Sequence, residues 1–143
     1  ISITTDIIVA FPGETEEQFV HTLELVEEVG FEGAFTFIYS PREGTPAATY
    51  PNPLTEEEKH ERLNRLVEKT NEGYLKGHQR FLGRVVKVLV DGPSKNNPNL
   101  MTGYSEHRKV VNFIPANANV GDIVNVRITE AKTWFMNGEQ VDE

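Results

Sequence analysis

Asp6 stands inside an otherwise apolar run from Ile3 to Val9. Alternation along a strand predicts that Asp6, Ile8 and Ala10 share one face. If the strand lines a barrel, that face points inward, and a carboxylate there needs a partner because an unpaired buried charge is costly. An internal salt bridge or hydrogen bond would serve, and so would a ligand group such as the ammonium of a bound amino acid. Two loops leave neighbouring strands at one end: Phe11-Pro12-Gly13-Glu14-Thr15 and Tyr39-Ser40-Pro41-Arg42-Glu43-Gly44-Thr45-Pro46. In a βα barrel, loops of this kind form the catalytic face. A Pro-Gly turn before a capped helix is also ordinary turn geometry. Arg42 suits either a bound phosphate or carboxylate, or solvent. Further along, Arg108, Lys109, Arg127 and Lys132 lie close to predicted strands, with Phe113, Trp134 and Phe135 nearby. Basic groups contact phosphates, and aromatics stack on splayed bases. The same residues also suit a solvated charged face over an aromatic core, which is the preferred reading for Phe113.

Composition excludes several chemistries. The chain of 143 residues has no cysteine, so disulfides, thiolate zinc sites and cysteine-ligated iron–sulfur clusters within it are ruled out. His21, His60, His78 and His107 are scattered, with no partner at metal-ligand spacing. There is no nucleophile elbow or Ser/His/Asp constellation, which disfavours an α/β hydrolase. No apolar run approaches a membrane span and no signal peptide opens the sequence, so a cytoplasmic protein is expected. The net charge of −8 is uneven: residues 1–79 carry 6 Lys+Arg against 15 Asp+Glu, and residues 80–143 carry 8 against 7. That shift predicts two units with different partners. Any nucleic-acid role must then rest on a local patch.

The elements that position these residues follow from pattern. Ile3–Val9 predicts a parallel strand buried on both faces. Thr15-Glu16-Glu17-Gln18 is a capping box, so a helix starts there, presents Phe19, Leu23 and Val26 on one stripe, and ends at Gly30. Gly33–Tyr39 predicts a second buried strand, completing a βαβ unit with a right-handed crossover. A proline-rich loop spans 40–54. Thr55-Glu56-Glu57-Glu58 opens a long helix with Leu63, Leu66, Val67, Thr70 and Tyr74 on one stripe, and Gly77 is expected to end it. Gly73 inside that helix costs about 1 kcal/mol relative to alanine. Beyond Arg80 the pattern changes to short strands, at 86–90, 109–114 and 124–128, separated by turn strings at Asp91-Gly92-Pro93, Asn96-Asn97-Pro98 and Val120-Gly121-Asp122. This predicts a small closed barrel of the OB type. Ile1 opens in mid-strand without an initiator methionine, so a piece of a longer chain is expected.

Several strings are specific enough to carry a family resemblance. Thr4-Thr5-Asp6-Ile7-Ile8-Val9-Ala10-Phe11-Pro12-Gly13-Glu14-Thr15 resembles a barrel strand of radical S-adenosylmethionine methylthiotransferases. Phe35-Thr36-Phe37-Ile38-Tyr39-Ser40-Pro41-Arg42-Glu43-Gly44-Thr45-Pro46-Ala47-Ala48 resembles the next strand and loop of the same group. Residues 80–143 resemble its TRAM domain. There, Val88-Leu89-Val90-Asp91-Gly92-Pro93-Ser94-Lys95, Lys109-Val110-Val111-Asn112-Phe113 and Ile128-Thr129-Glu130-Ala131-Lys132-Thr133-Trp134 look most like the tRNA-modifying MiaB type. The family usually has glycine where Ala10 stands, and often proline where Glu43 stands.

The resemblance implies a fold class of α/β plus all-β. Residues 1–79 would be the C-terminal portion of a radical S-adenosylmethionine βα barrel, with two parallel strands and their helices. Residues 80–143 would be an OB-like antiparallel TRAM barrel that binds RNA. It implies an intact transferase that uses S-adenosylmethionine and iron–sulfur clusters to add a methylthio group to carbon 2 of an isopentenyl-modified adenosine beside the tRNA anticodon. Cluster ligands would lie upstream, leaving this chain alone inactive. Asp6 would contact the methionine end of S-adenosylmethionine and Ser40 its adenine, with Arg42 on a substrate loop. Arg108, Lys109, Arg127 and Lys132 would hold the phosphates of the anticodon arm, and Trp134 would stack on a base. The open barrel edge at Ile3–Val9 predicts self-association. The rival readings are a methylthiotransferase acting on a ribosomal protein and a non-catalytic RNA-binding protein. A cysteine motif upstream would select the enzyme.

Overall fold

Both Thr-x-x-acid/amide strings cap helices as their chemistry requires. In the computed structural model, which describes residues 1–142, Thr15 precedes helix α1 (Glu16–Val29). Its hydroxyl accepts the Gln18 N–H at 3.2 Å, and its own N–H donates to the Gln18 side-chain oxygen at 2.9 Å. Thr55 and Glu58 make the same reciprocal pair, at 3.2 and 2.7 Å, before helix α2 (Glu56–Gln79). Gly30 closes α1 with φ 68°, a left-handed conformation that glycine adopts without steric cost. Contacts divide the chain into two compact units, Ser2–Gly73 and Tyr74–Glu143.

In the first unit, β1 (Thr4–Val9) and β2 (Gly33–Ile38) pair in parallel. Their register sets Asp6 opposite Phe35 and Ile8 opposite Phe37. One face, with Ile7, Val9 and Ile38, packs on Phe19, Leu23 and Val26 of α1 and on Leu63 and Leu66 of α2. The other face is open: Ile8 is 57 % exposed, Phe35 70 % and Phe37 51 %. Burial on both faces, expected from the apolar runs, is therefore not found among the described residues, because both helices pack on the same side. The run reflects a strand pair whose second apolar face this chain does not cover.

Gly73 shows why helix propensity misleads at one position. A Cβ there would collide with the Phe31 carbonyl oxygen, so the close approach requires glycine despite its helical cost. Gly77 does not end α2, which runs on to Gln79. The loop at 40–54 contains a 3-10 turn at Pro46–Thr49 that sequence pattern did not reveal.

The second unit is a closed barrel in the order β3-β4-β5-β7-β6. Its strands are β3 (Val85–Pro93), β4 (Met101–Ser105), β5 (Val110–Ile114), β6 (Ile123–Ala131) and β7 (Met136–Val141). Alternation holds along β3, where Val86, Val88 and Val90 point inward while Lys87 and Leu89 point out. With Phe81, Val111, Phe113, Val126, Ile128 and Met136 they form the core. An OB-type barrel was expected, and a five-stranded closed barrel is present, but it is not purely antiparallel: β5 and β7 run parallel. Asp91-Gly92-Pro93 is not a turn either. It continues β3 past a bulge between Val90 and Gly92, which bends the strand at a point where glycine and proline are tolerated.

Candidate functional site

Asp6, Ser40 and Arg42 come from β1 and from the segment after β2, and the fold brings them to one concavity of about 510 Å³. Ile8, Phe37 and Thr45 complete much of its lining. Asp6 is exposed rather than buried. It therefore needs no internal partner in this chain, and its carboxylate is open to a ligand. Ala10 departs from the predicted alternation. It is fully buried and adopts φ 60°, while Asp6 and Ile8 are exposed. The chain turns sharply at Ala10, in a conformation that suits glycine and costs an alanine roughly 1–2 kcal/mol.

A partly buried network holds that turn. The Ala10 N–H donates to Glu14 Oε1 at 3.0 Å, and the Asn52 amide donates to the Ala10 carbonyl at 3.0 Å. Arg62 of α2 donates to the same Glu14 oxygen at 2.8 Å and to the Glu14 backbone carbonyl at 3.0 Å. The Arg62 and Glu14 side chains retain 7 % and 13 % of their exposure. The guanidinium carbons of Arg62 and Arg65 also sit 5.6 and 4.8 Å from the Phe19 ring centre. The Phe11-Pro12-Gly13-Glu14 loop is thus fixed from behind by a charge pair that sequence reading did not single out. The signal available was Glu14, an acid directly after a Pro-Gly turn, but its partner lies 48 residues away.

In the barrel unit the basic residues separate. Arg108 and Arg127 are exposed, and Lys132 is exposed with its ammonium 2.6 Å from Glu130. That ammonium, followed by the Asn137 amide, holds the Glu130 carboxyl below its ordinary range. Lys109, expected on the surface, is only 7 % exposed. The reason is the turn it ends. Ser105 Oγ accepts the N–H groups of His107 (3.3 Å) and Lys109 (3.2 Å), and the Ser105 N–H donates to the Lys109 carbonyl at 2.8 Å. This tucks Lys109 inward and leaves Arg108 outside at φ 58°. Trp134 is 59 % exposed and tilts against Tyr74, with ring centres 5.2 Å apart. Phe113 is fully buried, as the core reading requires.

A second concavity, of about 530 Å³, lies on the outer barrel wall. Lys87, Leu89, Tyr104, Glu106, Arg108 and Ile123 line it. Of these, only Arg108 was anticipated. Tyr104 and the strand that bears it were missed because Met101–Ser105 is short and flanked by turn residues. Among the described residues no cluster of His, Asp or Glu is arranged to hold a metal ion, and no helix is long and apolar enough to cross a membrane.

Comparison with known proteins gives these geometries a context. Residues 79–141 match the family described as the TRAM domain. Across all 143 residues the chain is 54 % identical to a tRNA-2-methylthio-N(6)-dimethylallyladenosine synthase of Bacillus cytotoxicus, of which it spans 28 %. It is 55 % identical to the enzyme of that name from Anoxybacillus flavithermus, spanning 27 % of it. Over 141 residues it is 54 % identical to that of Bacillus mycoides. The chain thus covers a little over a quarter of the length of the curated relatives it matches.

Proposed function

We propose that this chain is the TRAM-bearing part of a radical S-adenosylmethionine tRNA methylthiotransferase, the enzyme class that its sequence strings resemble. The observation that carries the reading is identity of 54–55 % along the whole chain to synthases named for that product. Those names favour tRNA over a ribosomal protein as substrate. In this reading residues 1–79 supply the last strands of the catalytic barrel, and residues 80–143 supply the RNA-binding TRAM barrel. The enzyme works in the cytoplasm with its tRNA, gripping the anticodon arm through Arg108, Arg127, Lys132 and Trp134. Lys109 is withdrawn from that set, since its burial in the turn keeps it from a phosphate.

The residues present fit the methionine and adenosine ends of the cofactor. Asp6 offers an exposed carboxylate to an ammonium, Arg42 a guanidinium to a carboxylate, and Ser40 a hydroxyl to an adenine edge. Ile8 and Phe37 supply apolar wall for the adenosine. S-adenosylmethionine and the iron–sulfur clusters would supply the radical and methyl chemistry when bound. With no cysteine in this chain, the cluster thiolates belong to other parts of the enzyme. What these residues do is orient: they hold the cofactor by its two ends, while the Glu14–Arg62 network keeps the adjoining loop in place.

One experiment tests both levels. Mass spectrometry of tRNA nucleosides from a strain lacking the gene should show no methylthio group on the modified adenosine, and the full-length gene should restore it. Failure of restoration overturns the functional reading. Asp6→Asn in the intact enzyme should weaken S-adenosylmethionine binding by about 1.5–3 kcal/mol, the value of a charge-assisted hydrogen bond. Unchanged affinity by calorimetry would return Asp6 to a merely structural role.

Separated from the rest of the enzyme, the chain is expected to self-associate through its two-stranded sheet. Unpaired strand edges recruit other chains, and the exposed Phe35, Phe37 and Ile8 add apolar surface. Light scattering at high concentration should show dimers or larger species, and a strict monomer would refute the idea.

A further inference from the structure

We infer that the outer barrel wall around Tyr104 holds a single unpaired nucleotide of RNA. This rests on the reading above that the barrel binds tRNA, and it names the surface and the mode. The register builds a row across three strands: Tyr104 of β4 pairs with Leu89 of β3, and Leu89 pairs with Ile123 of β6. All three are at least half exposed, at 52 %, 51 % and 69 %. An aromatic ring at one end of a row with two aliphatic side chains, on the outer face of the barrel, is a platform for one base, since every base has a π-face. The concavity of about 530 Å³ lies in the range of roughly 300–1,000 Å³ that takes a ligand of this size.

Charge selects the occupant. The chain as a whole is strongly acidic, at −8, yet this concavity is rimmed by Lys87 and Arg108. Arg127, opposite Val85, shares the outer face four residues along each strand from the Leu89–Ile123 pair. The Ser105-centred turn holds Arg108 outward, in a conformation that is rare for a side chain of this kind. Lys87 and Arg108 fit the phosphates on either side of a splayed base. Glu106 is the acid of the site. It disfavours a phosphate at the centre and instead accepts a hydrogen bond from a base amine or a ribose hydroxyl. A base over the Tyr104 row with phosphates at the rim satisfies all four groups.

The test is fluorescence-anisotropy titration of the full-length protein with tRNA over a salt series. Tyr104→Ala should weaken binding about 5- to 150-fold with an unchanged salt slope, because stacking releases no counterions. Tyr104→Phe should keep wild-type affinity, and Lys87→Ala with Arg108→Ala should lower the slope by roughly 0.7 for each charge. Tyr104 is half exposed, so equal melting temperatures will confirm that its variants fold. If wild type binds tRNA and Tyr104→Ala binds equally well, the inference is overturned while the TRAM reading stands. Loss on Trp134→Ala with none on Tyr104→Ala would overturn it in the same way and place the stacked base on Trp134. If wild type does not bind tRNA, the reading beneath it has failed as well.

Discussion

Replacing Arg62 by alanine should lower the unfolding free energy of this chain by about 3 kcal/mol, near the bottom of the roughly 3–5 kcal/mol range for breaking a buried ion pair. The magnitude follows from what is left behind. Glu14 keeps 13 % of its side-chain exposure, and Arg62 gives it its closest charged contact, at 2.8 Å. Without the guanidinium, the carboxylate and the Glu14 backbone carbonyl each lose a donor in a site that water barely reaches. The Ala10 N–H still bonds the carboxylate, which keeps the loss toward the low end. The loss of packing over Phe19 adds to it. Arg62→Met should restore the packing but not the charge balance, so it should remain destabilised. Adding Glu14→Gln to that variant should recover part of the loss, because the buried charge is then gone. Urea unfolding followed by helix circular dichroism reads these differences. A loss below about 1 kcal/mol would place the pair among surface bridges of little worth. The consequence is local: this network fixes the loop that follows the Asp6 strand, so loosening it should also loosen the end of β1 beside the Asp6 concavity.

How far the sequence revealed this molecule depends on the range of each interaction. Thr15 and Thr55 were legible because a capping box is written within four residues. Val86, Val88 and Val90 were legible because a half-buried strand alternates. Met101–Ser105 and Met136–Val141 were not, since both are short, contain glycine and take their identity from neighbours. Gly103 and Gly138 mark those neighbours: a Cβ at 103 would collide with the Leu89 carbonyl oxygen, and one at 138 with that of Arg127. The parallel β5–β7 pair is likewise a property of closure that no local string encodes. Asp6, Ser40 and Arg42 could be named from their strings, yet their shared concavity appears only once β1 and β2 are paired in register. Lys109 failed for a related reason. Charge predicts exposure, but the Ser105 hydroxyl organises a turn that exposes Arg108 and buries its neighbour.

Phe113→Ala should cost the barrel about 3–5 kcal/mol, the range for removing a fully buried phenylalanine. The ring has no exposed surface. It stands in β5 between Met101 of β4 and Gly138 of β7. Gly138 brings no side chain to that row, and its strand approaches β6 too closely to admit one. Directly opposite the ring, β7 therefore offers no side chain to fill the space it vacates, and Met136, two residues along, would have to reach across to do so, so much of the cavity should persist. Phe113→Leu keeps most of the apolar volume and should lose distinctly less. If the barrel binds RNA as proposed, its aromatic residues invite a different account, in which Phe113 stacks on a base. The two accounts predict opposite pairs of results. A core ring gives a large fall in stability, and a stacking ring gives normal stability with weakened tRNA binding. Chemical denaturation monitored by Trp134 fluorescence, with anisotropy titration on the leucine variant, separates them. Normal stability in Phe113→Ala would reassign the ring to the RNA surface and remove the centre of the core on which the Tyr104 row is built.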